Sequence, residues 1–567
     1  MARTPLPPRP VAAAAVATAA VAAAVATRAL VGRGCLAAAV ASTLAAALTA
    51  VAWPRFATDT LGLHGTSFAG PTSGGDWPLL GRVAELATAL KDRRMCFLFA
   101  DWRAAAGAPN YQVWTAGTRR VFITNPIDVR YVLARADPPR DLSLLGVFGL
   151  VVSPQVLLLT RGDIHTRTRR LLQAPLNGDS VLAIAVRVAL AEVGGRGGRF
   201  ARALATAAAA SSDAAKGSTN SYASSTLSVS HLFEHMALSV IHQLLVSQPL
   251  PSDEILDKLN STLPLAAPVQ IVPAPKVFAP RAAARLRALG DYFIALYESH
   301  EAARRAAYAD GSWDPVPPKD ILDVLLADVD EPKGAYRGDR RRLSADFMLL
   351  LSAGYDTTAH SLDYAILTLC RHPETQDRIV KEVADVLGCP RDTPVADLPL
   401  TPSSLDRLTY LQTVWKEITR LFPATAGGPS RRPAVPLTLP SDGSVIPAGT
   451  AIKLPQYVVL HDEEAFPDAH SFRPERWLPS GPGGPAGVKT ADLSWYPFGL
   501  GPVSCPGRRL SQLEWKTAVV GILWAYQLRV ATGEPVRGLD LLTLRPSRYE
   551  VRVTRREGAP PALPAFA

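Results

Sequence analysis

The sequence predicts a mainly α-helical protein with a smaller β portion, preceded by an N-terminal membrane anchor. Three observations carry this. Helical patterns run through Ala345–Leu369, Leu405–Pro423 and Trp515–Leu528, whereas strand-like alternation is confined to short pieces near 111–124, 445–459 and 533–553. Two apolar segments, 11–27 and 35–53, each approach the ~20 residues needed to cross a bilayer. A chain of 567 residues with 48% hydrophobic and 19% charged content can bury a large core. Its five cysteines are scattered with no C-x-x-C pair, which argues against a disulfide scaffold or zinc site and suits a reducing compartment. The net charge of +10 is not arranged as basic runs interleaved with aromatics, so nucleic acid is not the implied partner. An acidic protein or a membrane surface accounts for it better.

At the N-terminus, 11–27 is almost wholly Ala and Val and inserts only marginally. The Leu-richer 35–53, closed by Trp53-Pro54-Arg55, is the better anchor. Arginines flank the first segment on both sides, which leaves one span or a hairpin open, and a cleavable signal peptide is the alternative. Residues 1–66 are therefore assigned to anchor and linker. Pro- and Gly-rich Phe68–Gly81 reads as stiff linker, a helix follows to about Ala104, and Tyr111–Thr115 with Arg120–Thr124 reads as a hairpin. In R-G-D-I-H-T-R-T-R-R-L-L (161–172), His165 and Arg169 share one helical face. Ala203–Leu227 is Ala/Ser-rich and reads as an insertion without packing duty.

H-L-F-E-H-M (231–236) matches a zinc-peptidase pattern, H-x-x-E-H, but lacks a downstream ligand. An ordinary amphipathic helix with Leu232, Met236, Val240 and Leu244 inward is the preferred reading. Apolar, Pro-broken Leu263–Pro280 reads as a loop that contacts a membrane or rims a pocket. In the middle of the long helix, A-G-Y-D-T-T (353–358) sets Gly354 and the polar Asp356, Thr357 and Thr358 into an apolar run. Threonine can bond back to the preceding turn, and a local widening is expected there. His360, just beyond, could join a proton relay there, but a surface-facing position is the preferred reading. Glu417 and Arg420 stand three positions apart and can pair.

The last motif is W-Y-P-F-G-L-G-P-V-S-C-P-G-R-R-L (495–510). Glycines let backbone approach closely, and Cys505 lies just ahead of a helix N-terminus, whose dipole favours an anionic sulfur. Phe498, Gly501, Cys505 and Gly507 resemble the haem-binding loop of the cytochrome P450 family, F-x-x-G-x-x-x-C-x-G. A-G-Y-D-T-T resembles that family's oxygen-activation motif, and E-I-T-R with P-E-R (474–476) its core network.

The resemblance spans about 70–553 and implies the cytochrome P450 fold, a single triangular mainly α domain, for residues 67–556, with 557–567 a disordered tail. It implies haem b with Cys505 as the axial iron ligand, and Phe498, Gly499 and Gly507 shaping the loop. His165, Arg169 and Arg432 are expected at the propionates. By the same resemblance Thr357 assists oxygen activation and Asp356 relays protons, while Glu417, Arg420 and Arg476 are structural. The loop region 263–280 would roof the substrate channel. The implied reaction inserts one atom of O2 into a lipophilic small molecule, in a fungal, secondary-metabolic setting. No flavin or dinucleotide motif occurs, so electrons are expected from NADPH–cytochrome P450 reductase, with cytochrome b5 as an optional second donor. Arg161, Arg167, Arg170, Arg508 and Arg509 form the expected docking face. The expected location is the endoplasmic reticulum membrane with the catalytic domain facing the cytoplasm. Two other readings stay open: an isomerase or dehydratase on the same fold that needs neither O2 nor reductase, and a haem-incompetent membrane-anchored binding protein. One departure stands out, because Val503 occupies the place where a basic residue usually meets a propionate.

Overall fold

The computed structural model describes residues 68–70, 82–115, 118–141, 155–215, 226–265, 280–478, 494–531, 535–540 and 542–560. Both expected anchor segments, the loop 266–279 and the tail beyond Pro560 lie outside the described residues. Among the described residues, no helix is long and apolar enough to cross a membrane.

The helix Arg340–Arg371 forms the axis of the molecule, longer at both ends than expected. Asp339 caps it by accepting from the Arg342 amide at 3.0 Å. Its apolar face, including Leu362, Ala365 and Ile366, is completely buried. Each such leucine or isoleucine contributes roughly 1.5–3 kcal/mol. The helix Ser230–Val246 lies against it, with Met236, Val240 and Leu244 inward as predicted and Leu232 only half-buried. Gly354 marks their closest approach, since a Cβ there would stand 2.8 Å from Ile241 Cγ1. Its cost to helix propensity is thus offset by packing. The expected widening is absent: Arg340–Arg371 is an unbroken α-helix, and Thr357 Oγ1 simply donates back to the Ala353 carbonyl at 2.8 Å. The helix Arg508–Ala525 packs beneath the axis, against Asp179–Gly194 on its other side.

The β portion is small. Asn110–Thr115 and Thr118–Ile123 form the predicted hairpin, with Thr115 opposite Thr118, so the turn is tighter than expected. Ala451–Lys453 joins Thr118–Ile123 in parallel, and Ser430–Arg431 pairs antiparallel to Ala451–Lys453. The terminal strands Gly538–Asp540, Leu544–Pro546 and Val551–Arg555 follow the prediction, and the last pairs with Tyr526–Val530.

Four further expectations need correction. The helix expected up to Ala104 is two, Val83–Lys91 and Met95–Ala106, separated by Arg93 at φ 57°. The 405–423 helix is also split, into Pro402–Asp406 and Thr409–Leu421. The second piece has no side-chain cap of its own; Glu382 of a neighbouring helix accepts from the Tyr410 and Leu411 amides at 2.6 and 2.9 Å. Within 445–459 only Val445–Ile446 and Ala451–Lys453 are strands, and Gln456–Leu460 is helical. The Ala/Ser-rich stretch does pack: the helix Arg199–Ala215 buries Leu204 and Ala207, and Thr226–Leu227 pairs with Val551 and Arg552.

Beneath the central helix, Asp363 is fully enclosed, accepting from Ser230 Oγ at 3.0 Å and Tyr549 Oη at 3.3 Å. Burial pushes its carboxyl from the ordinary 3.8 up to about 7, and Glu234 adds to this. A raised carboxyl favours the fold while it stays protonated. That stability is complete on the acid side of the ordinary value and is lost as pH rises through about 7. Asp363→Asn, which keeps the acceptor oxygen, should therefore flatten this loss. Thermal melts on either side of pH 7 test it, and an unchanged pH slope refutes it.

Candidate haem-thiolate site

The Cys505 loop is built by its backbone. Gly499 and Gly501 both take φ of 71°, and a Cβ on Gly501 would lie 2.3 Å from the Leu133 carbonyl oxygen, so only glycine fits. The Cys505 amide donates to the Phe498 carbonyl at 2.8 Å, closing the loop. Phe498 is anchored by stacking on Trp415 at 5.5 Å. Gly507 immediately precedes the Arg508–Ala525 helix, and a Cβ there would meet the Cys505 sulfur only at an ordinary contact of 3.9 Å. Cys505 is solvent-accessible although protein atoms crowd around it, as for a side chain that opens into a cleft. Burial pushes its thiol up, while a backbone contact at Gly507 and the guanidinium groups of Arg169 and Arg508 pull it down. A bound metal cation would deprotonate it outright.

Beside the loop lies a cluster of cations short of anions. Arg169 Nη1 donates to the Ser504 carbonyl at 2.6 Å, tying the Gly162–Leu176 helix to the residue before the cysteine. His165, on the same face as predicted, is buried and stands 3.2 Å from Arg140 Nη2 through its Nε2. A guanidinium can only donate, so Nε2 is the acceptor and the imidazole is neutral. Burial holds His165 below its ordinary value, with Arg140 and Arg169 adding repulsion. Arg140 itself is pushed down to about 10, first by burial and then by Arg431.

Arg431 is the residue that sequence reasoning missed. It is 2% exposed, and its Nε and Nη2 have no hydrogen-bond partner. Asp137 Oδ1 faces Nη2 at 3.7 Å, beyond hydrogen-bond reach. The expected neighbour, Arg432, is instead engaged, donating to Asp141 Oδ2 at 2.9 Å and to the Gly449 carbonyl at 2.6 Å. Arg431 ends the short strand Ser430–Arg431, both of whose residues are buried, whereas Arg432 lies just past it and turns toward Asp141. A backbone bridge between Arg140 and Arg431 fixes the two together.

This donor set fits haem. The soft thiolate suits iron, and the orphaned donors of Arg431, beside Arg140 and His165, await an anionic group such as a propionate. Arg431→Ala should weaken haem retention by about 1.5–3 kcal/mol, the worth of a charge-assisted contact, and Arg432→Ala should not. Haem loss to apomyoglobin measures both; equal effects would refute the assignment. Val503, half-buried in the turn Gly501–Val503, supplies no such contact. Val503→Arg is expected to raise haem occupancy, and unchanged occupancy would show that Arg431 and its neighbours suffice.

On the central helix, Asp356 and Thr357 occupy the predicted turn. Asp356 Oδ2 accepts from Thr543 Oγ1 at 2.7 Å, a contact with the C-terminal β portion that no local pattern signals. His360 is not at the surface. It is 4% exposed, because the terminal strands cover its helix face. The residues of the zinc-like pattern, already read as an ordinary helix, are engaged elsewhere: His235 faces Asp253 at 3.6 Å, and Glu234 accepts from Asn260 Nδ2 at 2.7 Å.

The structural trio assembles as the sequence implied. Arg420 donates Nε and Nη2 to Glu417 at 3.0 and 2.8 Å, and Arg476 Nε joins at 3.0 Å. The Trp477 indole and the Arg473 amide also donate to Glu417, at 2.9 and 3.1 Å. Of the expected docking arginines, Arg161, Arg167 and Arg170 are exposed. Arg509 pairs with Asp406, and Arg508 lies over the Trp495 ring at 4.9 Å.

Among known proteins, the probable cytochrome P450 4d20 of Drosophila melanogaster is 31% identical over 270 residues, 46% of this chain and 50% of that protein. The human mitochondrial 25-hydroxyvitamin D-1 alpha hydroxylase is 34% identical over 200 residues, 35% of this chain and 37% of that protein. The cytochrome P450 monooxygenase apf7 of Gibberella fujikuroi is 35% identical over 214 residues, 37% of this chain and 39% of that protein. The chain thus spans about half or less of the length of these curated relatives. The family profile described as Cytochrome P450 matches residues 71–553, from before the hairpin through the last strand. With the thiol loop, the cation cluster and the buried Glu417 network in their places along that span, the chain belongs to the cytochrome P450 family.

Proposed function

We propose that this protein is a haem-thiolate monooxygenase that inserts one atom of O2 into a lipophilic small molecule. The observation that carries the reading is the pairing of Cys505, in its glycine-shaped loop, with the buried and unpartnered donors of Arg431. Cys505 would hold the iron, and Arg431, Arg140, His165 and Arg169 the propionate side. Haem, when bound, supplies the redox-active iron at which O2 is reduced, with the thiolate favouring O–O cleavage. The chain's own residues orient the group and manage protons. Thr357 presents a hydroxyl and Asp356 a carboxylate one position apart on the central helix, and Thr543 holds that carboxylate in place. Hydrogen-bonded oxygens of this kind pass protons efficiently when prealigned. The retained Asp356 and Thr357 favour oxygen chemistry over isomerisation.

Electrons would come from NADPH through a separate flavoprotein reductase, docked at the cationic face that includes Arg167 and Arg170. The apolar segments 11–27 and 35–53 support attachment to the endoplasmic reticulum membrane, with the catalytic part facing the cytoplasm. Relatives from Gibberella fujikuroi and Fusarium equiseti are named cytochrome P450 monooxygenases, which supports a fungal-type oxidation of specialised metabolites. The test is the reduced, carbon-monoxide-bound spectrum of the purified protein, followed by oxygen-18 incorporation across a lipophilic substrate panel. A thiolate-type band with reductase-dependent labelling is the expected result. Absence of the band sinks the proposal, and turnover without reductase or O2 favours an isomerase.

A further inference from the structure

The polar groups around His360 form a path that the oxygenase reading does not use. At its inner end, Thr543 Oγ1 donates to Asp356 Oδ2 at 2.7 Å and stands 2.8 Å from His360 Nδ1. Thr543 has a single hydroxyl proton and gives it to Asp356, so toward the ring its oxygen can only accept, and His360 Nδ1 carries the proton and donates. In the neutral ring Nε2 is then a bare acceptor. It is buried, it has no hydrogen-bond partner, and Glu234 Oε1 faces it at 3.9 Å. The two oxygen and nitrogen acceptors face each other across this gap, which is where a proton can be handed over. Glu234 Oε2, in turn, lies 3.6 Å from Nδ1 of His231, whose side chain is 54% exposed. Asn260 pins the carboxylate at 2.7 Å and is itself held by Tyr355 Oη at 3.2 Å. Glu234 therefore sits between solvent and a buried histidine, with the two longer gaps within reach of a small rotation or one bridging water.

We propose that His231, Glu234, His360 and Thr543 form a proton-uptake route from the protein surface to Asp356. This rests on the oxygenase reading, and it names where that site's protons enter. For each proton Asp356 passes on, Thr543 gives it the hydroxyl proton and takes the Nδ1 proton of His360. His360 receives a proton at Nε2 from Glu234, which is refilled from water at His231. One proton is carried, no electrons move, and the ring is left as its Nε2–H tautomer, which returns to the Nδ1–H form when Nε2 gives its proton to a bridging water and Nδ1 takes one from another. His360 and Thr543 also position Asp356. Burial holds His360 below its ordinary 6.5, Arg545 of the covering strand acts in the same sense, and Asp356 and Glu234 oppose them. Without Glu234 the balance tips to the uncharged ring and proton uptake at Nε2 stalls.

The test uses full-length holoprotein as wild type, Glu234→Gln, His360→Gln and Thr543→Val. Glu234→Gln keeps an oxygen to accept from Asn260 and so should spare the fold. Two readouts are independent. In nitrogen-15 histidine NMR, the signal lost in His360→Gln identifies His360, and its titration should move to lower pH in Glu234→Gln. Reconstituted with NADPH reductase under air, Glu234→Gln and Thr543→Val should consume NADPH roughly tenfold more slowly, with a larger solvent deuterium isotope effect and an unchanged carbon-monoxide spectrum. An unmoved His360 titration, or rates within about twofold of wild type in both variants, overturns the route. A wild type that binds no haem instead defeats the oxygenase reading; the NMR arm then decides the coupling between His360 and Glu234 by itself.

Discussion

Replacing Cys505 with serine is expected to abolish the thiolate-type carbon-monoxide band and the oxygenase activity with it. Serine is close in size, so the loop should survive: its geometry comes from Gly499 and Gly501 at positive φ and from the Cys505 amide bond to the Phe498 carbonyl. What disappears is the ligand. A thiol becomes an anion under a metal cation, helped here by Gly507, Arg169 and Arg508, all of which draw it toward the thiolate. A serine hydroxyl is far less acidic and much harder as a donor. The cation cluster of Arg431, Arg140 and His165 is untouched by this change, so haem should still be recovered with the protein at reduced retention. Absorbance spectra with and without carbon monoxide read both quantities. A Cys505→Ser protein with an unaltered band would refute the assignment of the axial ligand.

Replacing Glu417 with alanine is expected to destabilise the fold by roughly 3–5 kcal/mol, as when one partner of a buried ion pair is removed. Glu417 and Arg420 are completely buried. The carboxylate receives five donors: two from Arg420 and one each from Arg476, the Trp477 indole and the Arg473 amide. Its removal would leave Arg420 charged in the core without a carboxylate, facing the Leu460, Ala469 and Ser471 carbonyls and the Phe466 ring. Folded proteins have a margin of about 5–15 kcal/mol, so the loss is a large share of it. Because the helix Thr409–Leu421 also carries Trp415, on which Phe498 stacks, loosening here should reach the thiol loop. Thermal unfolding followed by haem absorbance measures the change. A loss under about 1 kcal/mol would mean that the network is not what locks this layer. The double change Glu417→Leu with Arg420→Met should cost less than the sum of the singles, since it leaves no buried charge unpaired.

These two predictions rest on residues that local sequence made visible. Cys505 was legible because a thiolate loop needs glycines at fixed offsets, and such backbone demands are written in residue identity. Glu417 and Arg420 were legible as a pair, and Arg476 through the later P-E-R segment. Other residues were misplaced for one recurring reason. Two adjacent arginines are equivalent in a motif, whereas in the structure Arg431 ends a buried strand and Arg432, just past it, is taken up by Asp141 and the Gly449 carbonyl. His360 was assigned to the surface because nothing beside it in sequence announces that the Thr543 segment will cover that side of the helix. The Ala/Ser-rich stretch looked idle because small residues carry little periodicity, yet a helix of small residues still packs when larger neighbours meet it. The helix Thr409–Leu421 starts where Glu382, on another helix, supplies the cap.

Local sequence was enough for the helical class, the central helix with its Asp356–Thr357 turn, the glycine-shaped Cys505 loop and the Glu417–Arg420 pair, because each follows from residues within a few positions of one another. Only the tertiary structure decided which arginine points its free donors inward, that Glu234 and His360 face each other across two helices, and that Thr543 reaches Asp356 from 187 positions away. Those depend on which surfaces are buried against which. Burial is a property of the packed layers, and it determines where an unpaired charge or a shared proton can persist.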